Sequence, residues 1–190
     1  PAFGTPEYIR ATQMTGQMAR FYGLPLRSSG VCAANVPDGQ AQAETLQSLW
    51  AAVQSGTNMV YHAAGWLEGG LIASPEKFVM DCELLQQFQR YFDPVLTQTN
   101  ADDLAFEAVR EVGAGGHYFG TAHTQARFST AFYQPFHSDW RNFEAWEKDG
   151  AVWSAERAHG IYKAILAEAT DPPLDPSIRE ELDAFVAKRK

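Results

Sequence analysis

The chain has 190 residues, 45% of them hydrophobic and 13% aromatic, which is enough for one buried core and unlike a disordered sequence. Its net charge of −8, from 15 Lys and Arg against 23 Asp and Glu, leaves no basic stripe outside Lys188, Arg189 and Lys190, so nucleic acid is not an expected partner. No run approaches the roughly 18 apolar residues that span a bilayer, and the amino end lacks a signal-peptide pattern, so a cytoplasmic protein without membrane contact is expected.

Thr5, Pro6 and Glu7 make a helix start, Met14, Met18 and Phe21 follow at near-helical spacing, and Gly23 closes the segment. Leu24–Ser29, around Pro25, reads as a short strand. Asp38 caps a second helix with Leu46, Leu49, Trp50 and Val53 on one face, ending at Gly56. Thr57–Ala63 is the strongest strand signal. Residues 24–30 and 57–63 are therefore expected as adjacent parallel strands, with the helix near 38–55 crossing between them.

Ser74, Pro75 and Glu76 open a third helix with Phe78, Cys82, Leu85, Phe88 and Phe92 as its apolar stripe. A fourth begins at Asn100 and stops at Gly113, and Asp139 starts a turn-rich helix through Trp140, Phe143 and Trp146. Ser154–Ala169 and Pro176–Lys188 complete the set, the last with Ile178, Leu182, Phe185 and Val186 as its expected buried stripe. Cys32 and Cys82 are too few for a disulfide framework and are expected as reduced thiols, with Cys82 in the core.

Residues 113–123, GAGGHYFGTAH, are the densest feature. Gly113, Gly115 and Gly116 permit positive φ and close approach, while His117, Tyr118 and His123 bring polar tips on apolar bodies. Such a stretch suits a binding surface. The two histidines lack the i, i+4 spacing of a zinc pair and no third ligand is near, so no metal is expected here.

The same segment, EVGAGGHYFGTAHT at Glu111–Thr124, resembles the carboxyl-terminal part of the trimethylamine methyltransferase family. So do AAGWLEGG at Ala63–Gly70, EKFVMDCE at Glu76–Glu83, FGTPE at Phe3–Glu7, RFYGLPLRSSG at Arg20–Gly30, WEKDG at Trp146–Gly150 and PPLD at Pro172–Asp175. Separate motifs in order over nearly the whole chain are more specific than one Gly-rich loop.

The resemblance implies a helix-rich α/β fold: the carboxyl-terminal part of a (β/α)8 TIM barrel with additional carboxyl-terminal helices. Two strands cannot close a barrel that takes roughly 250 residues and eight strands. Residues 1–190 are thus expected as a portion of a longer methyltransferase chain, in keeping with a start at a helix cap rather than at Met. Apolar surface left by the missing strands should favour a homo-oligomer.

Activity is implied in the same way. Members of the family move a methyl group from a methylated amine to the Co(I) corrinoid (cobalamin) of a partner protein, and no cofactor is expected to stay bound to this chain. Barrel enzymes build their sites at the carboxyl ends of strands, which singles out Arg27, Ser28, Ser29 and Cys32 from one strand and Tyr61, His62, Trp66 and Glu68 from the other. Of these, Arg27, Ser28, Tyr61, His62, Trp66 and Glu68 are the expected substrate contacts. A quaternary ammonium is best held by aromatic faces, at roughly 0.5–2 kcal/mol per ring. Tyr61, Trp66, Tyr118 and Trp140 are candidate faces and Glu68 the candidate counter-charge, while His117, Tyr118 and His123 are expected to meet the corrinoid or its carrier.

The trimethylamine enzymes carry pyrrolysine in their site, at a position expected near Ser28–Cys32, whereas this chain has only standard residues. The likeness is therefore to the branch without pyrrolysine, some of whose members act on glycine betaine or related quaternary amines. The competing expectation is a non-catalytic helical module that supports assembly or docks a carrier protein.

Overall fold

A computed structural model describes residues 3–94, 104–170 and 173–189. Helix α1, Pro6–Tyr22, starts where expected: Thr5 Oγ1 accepts the Tyr8 N–H and proline occupies the first turn. It ends at Gly23, whose φ of 66° is the left-handed cap conformation that glycine adopts without strain.

Strand β1, Arg27–Ser29, and strand β2, Met59–Tyr61, pair in parallel, Arg27 opposite Met59 and Ser29 opposite Tyr61. Helix α2, Gly39–Gln54, joins them, capped by the Asp38 carboxylate on the Ala41 N–H at 3.1 Å. The expected strand–helix–strand unit is therefore present, with strands of three residues rather than seven. Beyond the ladder, the Gly30 N–H still reaches the Tyr61 carbonyl at 3.1 Å. A Cβ at Gly30 would lie 2.8 Å from Leu49 Cδ2, so glycine is what lets α2 press this closely on the strand end.

Past β2 the chain forms a small antiparallel hairpin that the sequence pattern did not indicate. Strand β3, Trp66–Leu67, pairs with β4, Ile72–Ala73, across a 3-10 turn at Glu68–Gly70. Helix α3, Pro75–Phe92, follows, with Ser74 Oγ accepting the Lys77 N–H at 3.2 Å. Helices α4 (Phe106–Val112), α5 (Ala122–Gln125), α6 (Phe143–Lys148), α7 (Ser154–Glu168) and α8 (Pro176–Ala187) complete the described elements. The expected start at Asn100 lies outside the described residues. Asn142, not Asp139, caps α6; the Asp139 carboxylate instead holds the Arg141 guanidinium.

The fold is helix-rich α/β with few strands. Helix α1 packs along α2 and α3 along α7. One core cluster, Cys32, Ala34, Ala41 and Leu67, sits under the hairpin; another, Val79, Met80 and Ala158, joins α3 to α7.

Several expected apolar stripes are not the buried faces. On α1 the buried positions are Thr12 and Gly16, and Met14, Met18 and Phe21 are exposed. Helix α2 buries Leu49 but otherwise small residues, Ala41, Thr45, Ser48, Ala51 and Ala52, because its neighbours lie too close for large ones. Helix α3 buries Lys77, Asp81 and Glu83 as well as Phe88 while exposing Phe78 and Phe92, and Cys82 is only half-buried. On α8, Ile178, Leu182, Phe185 and Val186 are all exposed. Among the described residues, no helix is long and apolar enough to cross a membrane.

Candidate functional site

The start of β1, the carboxyl end of β2 and the segment that follows β2 bring four of the candidate residues into one row; Arg27, expected at a strand's carboxyl end, is instead the first residue of β1. The Arg27 guanidinium lies 4.7 Å from the centre of the Tyr61 ring. Tyr61 meets His62 edge to face at 6.0 Å, and His62 meets Trp66 edge to face at 5.3 Å. Period-two alternation accounts for the start of the row, since in-register pairing sets residues 27 and 29 on the same sheet face as 59 and 61. His62 has a φ of 51°, a left-handed turn that breaks the strand and redirects the chain.

Arg27, Tyr61 and His62 are exposed and Trp66 half-buried. Ser28 lies on the opposite sheet face, half-buried, while Ser29 is buried, its carbonyl accepting the Tyr8 hydroxyl at 3.2 Å. Glu68 is exposed on the hairpin turn at φ 49°, its N–H held by the Ala34 carbonyl at 3.0 Å. Cys32 is buried and donates to the Trp66 carbonyl at 3.3 Å. Burial pushes its thiol up, against the pull of the Lys77 charge, so Cys32 packs as a neutral thiol and not as a nucleophile.

Beneath this row lies a polar network that sequence reasoning missed. Lys77 and Asp81 form an ion pair with both side chains essentially inaccessible to solvent. Lys77 Nζ also donates to Thr45 Oγ1 at 2.8 Å, and Gln42 Nε2 donates to Asp81 Oδ1 at 3.2 Å. Asp81 Oδ2 accepts the Gly65 N–H at 2.9 Å, which ties the His62–Glu68 segment to α3. Burial pushes the Asp81 carboxyl up and the Lys77 ammonium pulls against it. The sequence signal was the i, i+4 spacing of Lys77 and Asp81, which ordinarily marks a solvated helix pair.

Glu83, two residues beyond Asp81 on α3, holds a second segment in the same way. Its carboxylate accepts the His137 N–H at 2.6 Å and the Ser138 N–H at 3.0 Å, and it also takes the Ser138 hydroxyl. Burial alone would raise this carboxyl, but the hydrogen bonds from Ser138 and His137 win and hold it below the usual range.

The remaining candidates lie apart. His117 contacts Phe119 at 5.7 Å and Trp140 contacts Tyr133 at 6.3 Å; among the described residues neither these rings nor Tyr118 stack on Tyr61, His62 or Trp66. Gly113 and Gly115 take positive φ, and a Cβ on Gly116 would strike Val112, so the glycines are required where the sequence placed them. Thr121 closes the loop, accepting the Thr124 N–H at 3.2 Å and donating to the Tyr118 carbonyl at 2.9 Å. His123, Phe119, Arg127, Phe128 and Phe132 then line an open, largely apolar groove of about 530 Å³.

The sequence of residues 1–190 matches the trimethylamine methyltransferase family. The chain belongs to that family. It is 36% identical to the glycine betaine methyltransferase of Desulfitobacterium hafniense over 99% of its own length and 39% of that protein. It is 28% identical to a trimethylamine methyltransferase of Methanosarcina mazei over 97% of itself and 37% of the relative. An L-carnitine:corrinoid methyltransferase of Eubacterium limosum is 29% identical over 62% of the chain and 24% of that protein. The chain thus spans about two-fifths of the length of the first two relatives.

Proposed function

We propose that the chain is the carboxyl-terminal portion of a (β/α)8 barrel methyltransferase that moves a methyl group from a quaternary amine such as glycine betaine to the Co(I) corrinoid of a partner protein. The observation that carries this reading is the row Arg27, Tyr61, His62 and Trp66, in which the Arg27 side chain reaches from the start of β1 to the carboxyl end of β2, in a chain of this family. Strand ends are where barrel folds assemble their chemistry. The similarity to a glycine betaine methyltransferase supports the donor class.

A quaternary nitrogen has no lone pair and a full positive charge, so its methyl carbon is open to displacement. The C–N bond breaks with its electron pair going to nitrogen, giving a tertiary amine, while the acceptor's cobalt supplies the pair for the new bond. No proton moves, so no general acid is needed. The work left to the protein is to hold the ammonium, aim one methyl outward and keep water away. Trp66 and the His62 edge supply apolar and π surface and Glu68 the neutralising charge, whereas Ser28, on the opposite sheet face, takes no part. Acidic, imidazole and aromatic groups of this kind fit a soft cation.

The acceptor is a second substrate, presented by another protein. The groove of Phe119, His123, Arg127, Phe128 and Phe132, beside His117 and Tyr118, is apolar with a cationic edge, which suits a broad amphipathic macrocycle. The test is to mix the full-length enzyme, glycine betaine and the reduced corrinoid protein. Equal amounts of dimethylglycine and methylated corrinoid are expected, the latter read from its visible spectrum. Glu68→Gln should lower transfer about tenfold or more at limiting betaine. No dimethylglycine from wild type would leave the chain as an assembly or carrier-docking module.

A further inference from the structure

Tyr61 is not a vacant aromatic face: the Arg27 guanidinium already lies 4.7 Å from its centre. Arg27 pairs with Met59, two residues before Tyr61, so its side chain runs roughly 6.6 Å along the strand to reach that ring. A guanidinium over a ring face is held there by cation–π attraction, and its planar paired N–H donors match a carboxylate. The same row continues through His62 to Trp66, at 6.0 Å and then 5.3 Å. One end thus offers a cation and the other aromatic ring edges and faces. Arg27 and Tyr61 are both exposed, and Arg27 makes no ion pair among the described residues, so its charge is available.

We infer that Arg27, seated on Tyr61, reads the carboxylate of a zwitterionic donor and so selects carboxylate-bearing quaternary amines over donors that carry positive charge alone. This rests on the methyl-transfer reading above and assigns to Arg27 and Tyr61 a role in specificity. A cation without a carboxylate gains nothing from Arg27 and meets its repulsion. Tyr61 in turn acts as a positioning residue for the guanidinium.

The test uses the full-length enzyme with reduced corrinoid protein and two donors sharing one head group, glycine betaine and tetramethylammonium. Calorimetry of betaine binding to the enzyme alone gives a second readout. Wild type should favour glycine betaine. Arg27→Met should lower kcat/KM for betaine by about tenfold to a hundredfold, mostly through KM, and weaken betaine binding to match, while tetramethylammonium is unchanged or improved. Arg27→Lys should keep part of the preference, and Tyr61→Leu should lose part of it. Equal losses for both donors, or an unaltered preference in Arg27→Met, overturn the inference while leaving methyl transfer intact. A wild-type enzyme inactive on every donor overturns the functional reading and this inference with it.

Discussion

Lys77 and Asp81 are buried charges that hold a loop rather than perform a reaction, and their energetics are asymmetric. Removing one partner strands the other in a dry site, so Asp81→Ala should destabilise the fold by about 3–5 kcal/mol in chemical unfolding. Asp81→Asn should cost less, because its carbonyl oxygen still accepts the Gly65 N–H. Replacing both, as Lys77→Met with Asp81→Leu, should recover much of the loss. A double variant as unstable as Asp81→Ala would contradict this account. Glu83 makes a pH prediction. Its carboxyl sits below the ordinary value, so its contribution is fully present above the unfolded pKa of about 4.3 and is lost as pH falls through the lower folded value. Glu83→Gln should therefore be less stable than wild type at neutral pH by about 1.5–3 kcal/mol, with a gap that narrows below about pH 4. A gap independent of pH would mean the carboxylate charge is not what holds Ser138 and His137.

At the level of elements, the α1–α2 contact decides between two opposing effects. Gly16 is inside a helix, where alanine is normally better by about 1 kcal/mol. Here its Cβ would sit 2.4 Å from the Ser55 carbonyl oxygen, a backbone atom that also accepts the Arg20 guanidinium. Overpacking against backbone costs more than propensity returns, so Gly16→Ala should lower stability by about 1–3 kcal/mol, read as a fall in Tm. This contact also explains what the sequence could and could not tell. Caps and crossover were legible because Thr5, Gly23, Asp38 and Ser74 act through local hydrogen bonds. Tyr61 and His62 follow from the carboxyl end of β2, whereas Arg27 stands at the start of β1 and reaches Tyr61 through the length of its side chain. The β3–β4 hairpin was not legible, since two-residue strands carry no alternation to detect. Nor were the buried faces: on α1 and α2 close approach favours Gly16, Ala51 and Ala52, and on α3 the charges of Lys77 and Asp81 are buried because they satisfy each other.

Across the whole molecule, the apolar positions that periodicity marked on α1 and α8 are exposed, Met14, Met18 and Phe21 on one and Ile178, Leu182 and Phe185 on the other. Contiguous exposed apolar surface drives association, so residues 1–190 alone should sediment as a dimer or larger, and Ile178→Lys with Leu182→Glu should shift the population toward monomer without loss of helix content. A monomer that stays soluble at high concentration would mean these faces need no partner. The central claim is that a methylated amine binds along the row from Arg27 to Trp66. A crystal structure of the full-length protein with glycine betaine tests it most directly: the account predicts the ammonium methyls against Trp66 and His62 with the carboxylate on Arg27, and betaine bound elsewhere, with this row empty, would contradict it.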